Sequence, residues 1–140
     1  MEIRLARASD RARWFELDAH LPEDEFMGKL LSDMLYAATV EGRIVGVLRW
    51  GLFWDSIPFM NLLYVDEALR GQGCGRALVM RWERDMRARG YGMVLTSTQV
   101  DEQAQQFYRH MGYRDCGGLI MELPGYEQPM EMFMCKPLGE

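Results

Sequence analysis

Residues 70–78 read Arg70-Gly71-Gln72-Gly73-Cys74-Gly75-Arg76-Ala77-Leu78. Ahead of them, residues 59–65 (FMNLLYV) are a nearly continuous apolar run, the pattern of a strand buried on both faces. Behind them, Gly75, Val79, Trp82 and Met86 recur at helical spacing up to about Arg89, and Gly90 suits the left-handed residue that closes a helix. Residues 93–98 form the next strand. Strand, glycine turn, helix and strand over 59–98 predict a right-handed parallel crossover, and with it an α/β fold.

The flanks extend this pattern. Residues 2–6 alternate, with Ile3 and Leu5 on one side, and predict a short strand. Ser9 is placed to cap a helix from about Asp10 that carries Trp14, Phe15 and Leu17. Pro22 suits the first turn of a second helix, with Glu23, Asp24 and Glu25 at its positive end and Phe26, Leu30 and Met34 as its buried stripe. Strands over 36–40 and 43–53 flank a tight Glu41-Gly42 turn, Gly46 and Gly51 mark bends in the longer one, and 54–58 reads as a loop. Downstream, Asp101 is placed to cap a helix with Ala104, Phe107, Tyr108 and Met111 on one face, stopped by Gly112. Strands near 113–123 and 130–136 complete the chain. The order is β-α-α-β-β-β-α-β-α-β-β in one domain spanning 1–140, an α/β fold with a mixed sheet.

The glycine turn carries the chemistry. A helix N-terminus offers unsatisfied N–H groups and a positive dipole end, and glycines let an anion approach the backbone. Arg70 and Arg76 add charge-assisted donors. A P-loop requires Lys-Ser or Lys-Thr after its last glycine, where this chain has Arg76-Ala77. The dinucleotide fingerprint fails from both possible starts, because Gly71 leads to Arg76 and Gly73 leads to Leu78.

Composition narrows the classes. Sixteen basic residues against 21 acidic ones give a net charge of −5, which argues against a general nucleic-acid binder. The clustered Arg81, Arg84, Arg87 and Arg89 read as a solvated helix face. No window approaches a membrane span, and the N-terminus lacks a secretory pattern, so the expectation is a cytoplasmic protein without membrane contact. Cys74, Cys116 and Cys135 form no Cys-x-x-Cys pair, and His20 and His110 stand far apart, so no metal site is expected.

The pattern Arg70-x-x-Gly73-x-Gly75 resembles the acetyl-CoA motif, Arg/Gln-x-x-Gly-x-Gly/Ala, of the GNAT N-acetyltransferases. Residues 62–65 resemble that family's central strand. The run from Ala104 through Phe107-Tyr108 to Gly112-Tyr113 resembles its late motif, A-x-x-F-Y-x-x-x-G-F. The resemblance covers nearly the whole chain. It implies a mixed sheet flanked by helices, with two central parallel strands splayed around acyl-CoA.

The resemblance also implies roles. The pyrophosphate would lie on backbone from Gly71 through Gln72, Gly73, Cys74 and Gly75 to Arg76, with Arg70 beside it. The pantetheine arm would pair with the backbone of Leu63 and Val65. Tyr108 would donate to the departing thiolate. Cys74 reads as a spacer, although a helix N-terminus can lower a thiol's pKa. The central strand holds no acid, so Asp55 is the first choice of general base, with Asn61 and Trp54 on the acceptor side; Phe53 is a second aromatic candidate there. The stretch 123–132 is placed to act as a lid. The reaction implied is acetyl transfer from acetyl-CoA to a primary amine, on a small molecule or a peptide, by direct attack in a ternary complex. A non-catalytic acyl-CoA-sensing module is the alternative, and the family is compatible with a homodimer.

Overall fold

The computed structural model describes residues 1–139. Seven strands form a mixed sheet flanked by helices. In chain order the elements are β1 (Glu2–Leu5), α1 (Arg11–Leu17), α2 (Phe26–Leu31), β2 (Leu35–Val40), β3 (Arg43–Phe53), β4 (Ile57–Val65), α3 (Cys74–Ala88), β5 (Met93–Gln99), α4 (Ala104–His110), β6 (Arg114–Leu119) and β7 (Glu131–Pro137). This is the order read from the sequence, with short 3-10 turns added at Ala8–Asp10, Glu23–Glu25 and Glu67–Leu69. The contacts fall into two compact units, Met1–Gly51 with Met60–Asp85, and Leu52–Phe59 with the residues from Met86 onward.

In the first unit β1, β2 and β3 pair antiparallel, with Ile3 opposite Ala38 and Tyr36 opposite Leu48. Glu41 (φ 52°) and Gly42 (φ 78°) are both left-handed, as a type I′ hairpin turn requires. Trp14, Leu17, Leu21 and Phe26 from the α1–α2 region pack with Leu35, Ala37, Ile44 and Val47 of the sheet. Leu78, Val79 and Trp82 of α3 are fully buried, with Trp82 against Trp50 at 6.4 Å between rings. Ser9 does not cap α1. It lies within a 3-10 turn, and Asp10 organises the entry by accepting the Arg7 N–H at 2.7 Å and the Arg4 guanidinium at 2.7 Å. Pro22 likewise precedes a 3-10 turn, and α2 begins only at Phe26.

A buried ion pair closes the end of α1. Asp18, whose side chain is fully buried, accepts Arg49 Nε at 2.8 Å and Nη2 at 3.3 Å. It also accepts Trp14 Nε1 and the N–H groups of His20 and Leu21. Burial pushes its pKa up, but the Arg49 contact and these donors outweigh it, and the net shift is downward. Breaking such a pair from one side leaves an uncompensated buried charge.

The solvated-face reading of the α3 arginines holds for Arg84, Arg87 and Arg89, which are exposed, and needs correction at Arg81. Arg81 is half-buried and donates to Ile3 O at 2.9 Å and to Asp85 at 3.0 Å, while Tyr36 Oη donates to the same carboxylate at 2.8 Å. These bonds tie the helix to β1 and β2, links between residues up to 78 positions apart that sequence spacing does not display.

In the second unit β7 lies between β5 and β6 and pairs antiparallel with both, from Met93 opposite Pro137 to Gln99 opposite Glu131 on the β5 side. Arg87, exposed on α3, also donates from Nε to Leu138 O at 2.7 Å. Asp101 is exposed and does not cap α4; Gln103 occupies the N-cap without a side-chain bond. Gly112 (φ 96°) ends the helix, and Tyr113 N–H returns to Tyr108 O at 3.0 Å. The expected loop at 54–58 is shorter than read. Trp54 (φ 54°) and Asp55 (φ 59°) are a two-residue hairpin turn closed by Ser56 N–H to Phe53 O, and Ile57 and Pro58 already belong to β4.

Candidate functional site

The glycine turn is built from the end of β4. Asp66 N–H donates to Val45 O at 2.8 Å, and the Asp66 carboxylate accepts Ala68 N–H at 3.2 Å and Arg13 Nη2 at 3.3 Å. Arg13 Nε donates to Ile44 O at 3.0 Å. The register runs Ala38 to Gly46 and then Thr39 to Ile44, so Val45 is the extra residue of a bulge. A bulge disrupts the ladder locally, and here the neighbouring carbonyls hold the start of the loop.

Gly71 (φ 78°) and Gly73 (φ 86°) take the left-handed backbone. A Cβ on either would meet nothing within 4 Å, so these glycines serve conformation and open access rather than packing. The Ala77 N–H to Gly73 O bond, 3.0 Å, opens the α3 ladder. The N–H groups of Cys74, Gly75 and Arg76 therefore precede it, at the positive end of a 15-residue helix. Gln72 is exposed beside them. The exposed Arg76 guanidinium makes no hydrogen bond or ion pair with any described residue. Arg70 behaves differently. Its Nε donates to Val65 O at 2.9 Å, its guanidinium lies over the Tyr64 ring at 5.2 Å, and Glu67 stands 3.8 Å away. It ties the loop to the end of β4, where Leu63 and Val65 are half-buried.

Cys74 is only 3% exposed, and burial pushes its thiol pKa up, against the lowering that a helix N-terminus favours. It packs over Gly46, where a Cβ would stand 2.8 Å from its Sγ and 3.2 Å from Leu78 Cδ1. Gly46 thus lets the first turn of α3 sit close on β3.

Tyr108 belongs to the second unit. It lies on α4, 6% exposed, edge-on to Phe107 and Tyr113 at 5.3 and 5.5 Å. Burial pushes its phenol up to about 12; a hydrogen bond with Thr96 works against the rise and the Glu102 charge adds to it. At neutral pH Tyr108 is a neutral donor. Thr96, on β5 and 1% exposed, is the partner that sequence reading missed. The available signal was a hydroxyl within a buried strand, which needs a partner.

Trp54 is 78% exposed and Asp55 is exposed beside it on the hairpin turn. Phe53 contacts Trp54, Phe59 and Phe133, with ring centroids 4.8, 5.9 and 6.2 Å away. Asn61 is exposed on β4. The connection 120–130 is largely exposed, and Met132 is buried within β7. Among the described residues no group of three His, Cys, Asp or Glu side chains is placed to hold a metal ion, and no helix is long and apolar enough to cross a membrane.

An α/β chain with an open anion cradle at a helix N-terminus and a buried, neutral tyrosine defines a class, and comparison with known proteins gives the family. The family model for the Acetyltransferase (GNAT) domain matches residues 32–115. Blasticidin-S acetyltransferase of Streptomyces morookaense is 33% identical over 92 residues, which are 65% of this chain and 63% of that protein. The match thus spans less than two thirds of that relative's length. Ard1 from Thermoplasma volcanium superposes with a TM-score of 0.87 at 18% identity, covering 99% of this chain and 98% of that one. The structure of yncA from Salmonella typhimurium with its cofactor acetyl-CoA gives 0.84 at 18% identity, covering 100% and 95%. At these identities the structures show a shared fold. The chain belongs to the GNAT acetyltransferase family.

Proposed function

We propose that the protein is an N-acetyltransferase that moves the acetyl group of acetyl-CoA to a primary amine by direct attack in a ternary complex. The observation that carries this reading is the cradle: two left-handed glycines with open space above them, three helix N–H groups ahead of the ladder, and an unengaged Arg76. In a GNAT chain these groups suit a pyrophosphate. Arg70 and Gln72 border it, and the backbone of Leu63 and Val65 offers the pantetheine arm strand-type pairing. Arg70 then competes with that arm for Val65 O, the carbonyl it holds here.

Acetyl-CoA supplies a thioester carbonyl and a thiol leaving group. Tyr108 presents its O–H to the sulfur, whose negative charge grows as the bond breaks. Burial holds Tyr108 as a neutral phenol, able to donate a hydrogen bond to that sulfur. Asp55, the one carboxylate in residues 50–65, is assigned to take the amine proton, with Asn61 and Trp54 beside the acceptor.

The test is thiol release from acetyl-CoA with a panel of primary amines headed by blasticidin S, with the product identified by mass. Amine-dependent release supports the reading. Tight acetyl-CoA binding without release across small-molecule and peptide amines supports the sensing module instead.

A further inference from the structure

We infer that Cys116 and Cys135 form a redox pair, which closes to a disulfide when hydrogen peroxide enters the open cavity beside Cys135. This chemistry is separate from acetyl transfer, and every group in it lies in the second unit. The two thiols share a hydrogen bond. Cys116 is exposed and Cys135 half-buried, so both are within reach of solvent, whereas the third cysteine, Cys74, is buried in the first unit.

The strand register brings the pair together. Arg114 of β6 stands opposite Cys135 of β7, and Asp115 opposite Met134, but the next partners are Gly117 and Phe133. Cys116 is therefore the extra residue of a bulge. A bulge sets two residues against one, so Cys116 lies roughly 5 Å along the ladder from Cys135, where a regular strand would put it about 7 Å away. A disulfide needs Cα atoms within about 7 Å of each other, a span that the shortened diagonal approaches. β6 ends the sheet and all six of its residues are exposed, which leaves it free to close the remaining gap.

The surroundings divide the roles. Cys135 lines an open cavity of about 230 Å³ with Met93, Arg114, Lys136 and Pro137, and no described carboxylate lines it. The Arg114 guanidinium makes no hydrogen bond or ion pair with any described residue. Positive charge beside a reachable thiol favours the thiolate, the form that reacts. Cys116 is the opposite case. Desolvation pushes its thiol up to about 11, and the hydrogen bond with Cys135, the Cys135 charge and the Asp115 charge add to the rise. It keeps its proton while Cys135 reacts.

The Cys135 thiolate attacks the peroxide. An S–O bond forms, the O–O bond breaks, and the leaving hydroxide takes a proton from solvent. The Cys116 sulfur then attacks the sulfenic sulfur of Cys135. The S–S bond forms, the S–O bond breaks, and the oxygen leaves as water with the Cys116 proton. The two thiols give up two electrons, and one peroxide becomes two waters.

The test treats the full chain with hydrogen peroxide, then unfolds it and labels free thiols with iodoacetamide. The reduced chain takes up three labels. The oxidised chain is expected to take up one, on Cys74, and to regain the others after dithiothreitol. Glu-C cuts after Glu122, Glu127 and Glu131, so the peptide holding Cys116 and the peptide holding Cys135 should appear joined in the mass spectrum. Cys116→Ser should stop at the Cys135 sulfenic acid, which dimedone traps. Cys135→Ser should slow oxidation of Cys116 about tenfold or more. The pair is overturned by the absence of the joined peptides, by Cys116 crosslinking two chains instead, by Cys74 oxidising as fast, or by Cys116 reacting at an unchanged rate without Cys135.

Discussion

Tyr108→Phe removes one oxygen from a buried site whose phenol is pushed up to about 12. Losing one preorganised donor to a developing anion costs about 100- to 1,000-fold in kcat, while the KM for acetyl-CoA should change little. The same substitution removes the Tyr108 side of the hydrogen bond with Thr96, so unfolding is measured beside turnover to separate a loss of stability from a loss of catalysis. A raised phenol pKa in the fold means that stability is intact below about pH 10 and falls as pH rises towards 12, by up to about 3 kcal/mol, a decline that Tyr108→Phe should lack. The assays are single-turnover thiol release and urea unfolding across pH. Wild-type turnover in Tyr108→Phe, with chemistry limiting the rate, refutes the reasoning.

Other substitutions probe the remaining parts. Arg76→Ala should weaken acetyl-CoA binding by roughly tenfold at low salt and by less at high salt, because its free guanidinium is exposed; calorimetric titration at two ionic strengths measures both. Gly46→Val should cost about 1–3 kcal/mol and weaken acetyl-CoA binding, since its side chain collides with Cys74 and Leu78 under the first turn of α3; urea unfolding and the same titration check it. Arg49→Met should cost about 3–5 kcal/mol near neutral pH by leaving Asp18 charged and buried. The Asp18 pKa is lowered in the fold, so the pair's contribution is present above the ordinary carboxylate pKa and fades as pH falls. The variant should therefore approach wild type in acid unfolding. Asp55→Asn should lower kcat/KM by 100-fold or so if this carboxylate takes the amine proton, and unchanged turnover hands that role to water.

The elements were legible because their signals are local. Periodicity marked the helices, the Glu41-Gly42 pair marked a hairpin, and Gly71 and Gly73 stand where only a left-handed backbone fits. What stayed hidden depends on distant partners. Trp54-Asp55 carries no turn signature, because Trp rarely adopts positive φ, and so two residues of β4 were read as loop. Arg81 looked solvated until the carbonyl of Ile3 came within 2.9 Å. Ser9 and Asp101 have the chemistry of caps, but 3-10 geometry at one site and an exposed turn at the other leave them unused. Thr96 and Cys135 owe their interest to Tyr108 and to Cys116, contacts that no spacing rule supplies.

The measurement that tests the account most directly is thermal unfolding of the wild type and of Gly73→Glu with acetyl-CoA, CoA, ATP and NAD in separate samples. At about 100 times the dissociation constant, a ligand of the folded state adds roughly 2.7 kcal/mol. Stabilisation of the wild type by both CoA species, with much less from ATP and NAD, and no such stabilisation of Gly73→Glu, is the predicted result. Wild-type protein unmoved by saturating acetyl-CoA, or a Gly73→Glu protein stabilised equally, contradicts the cradle and the function built on it.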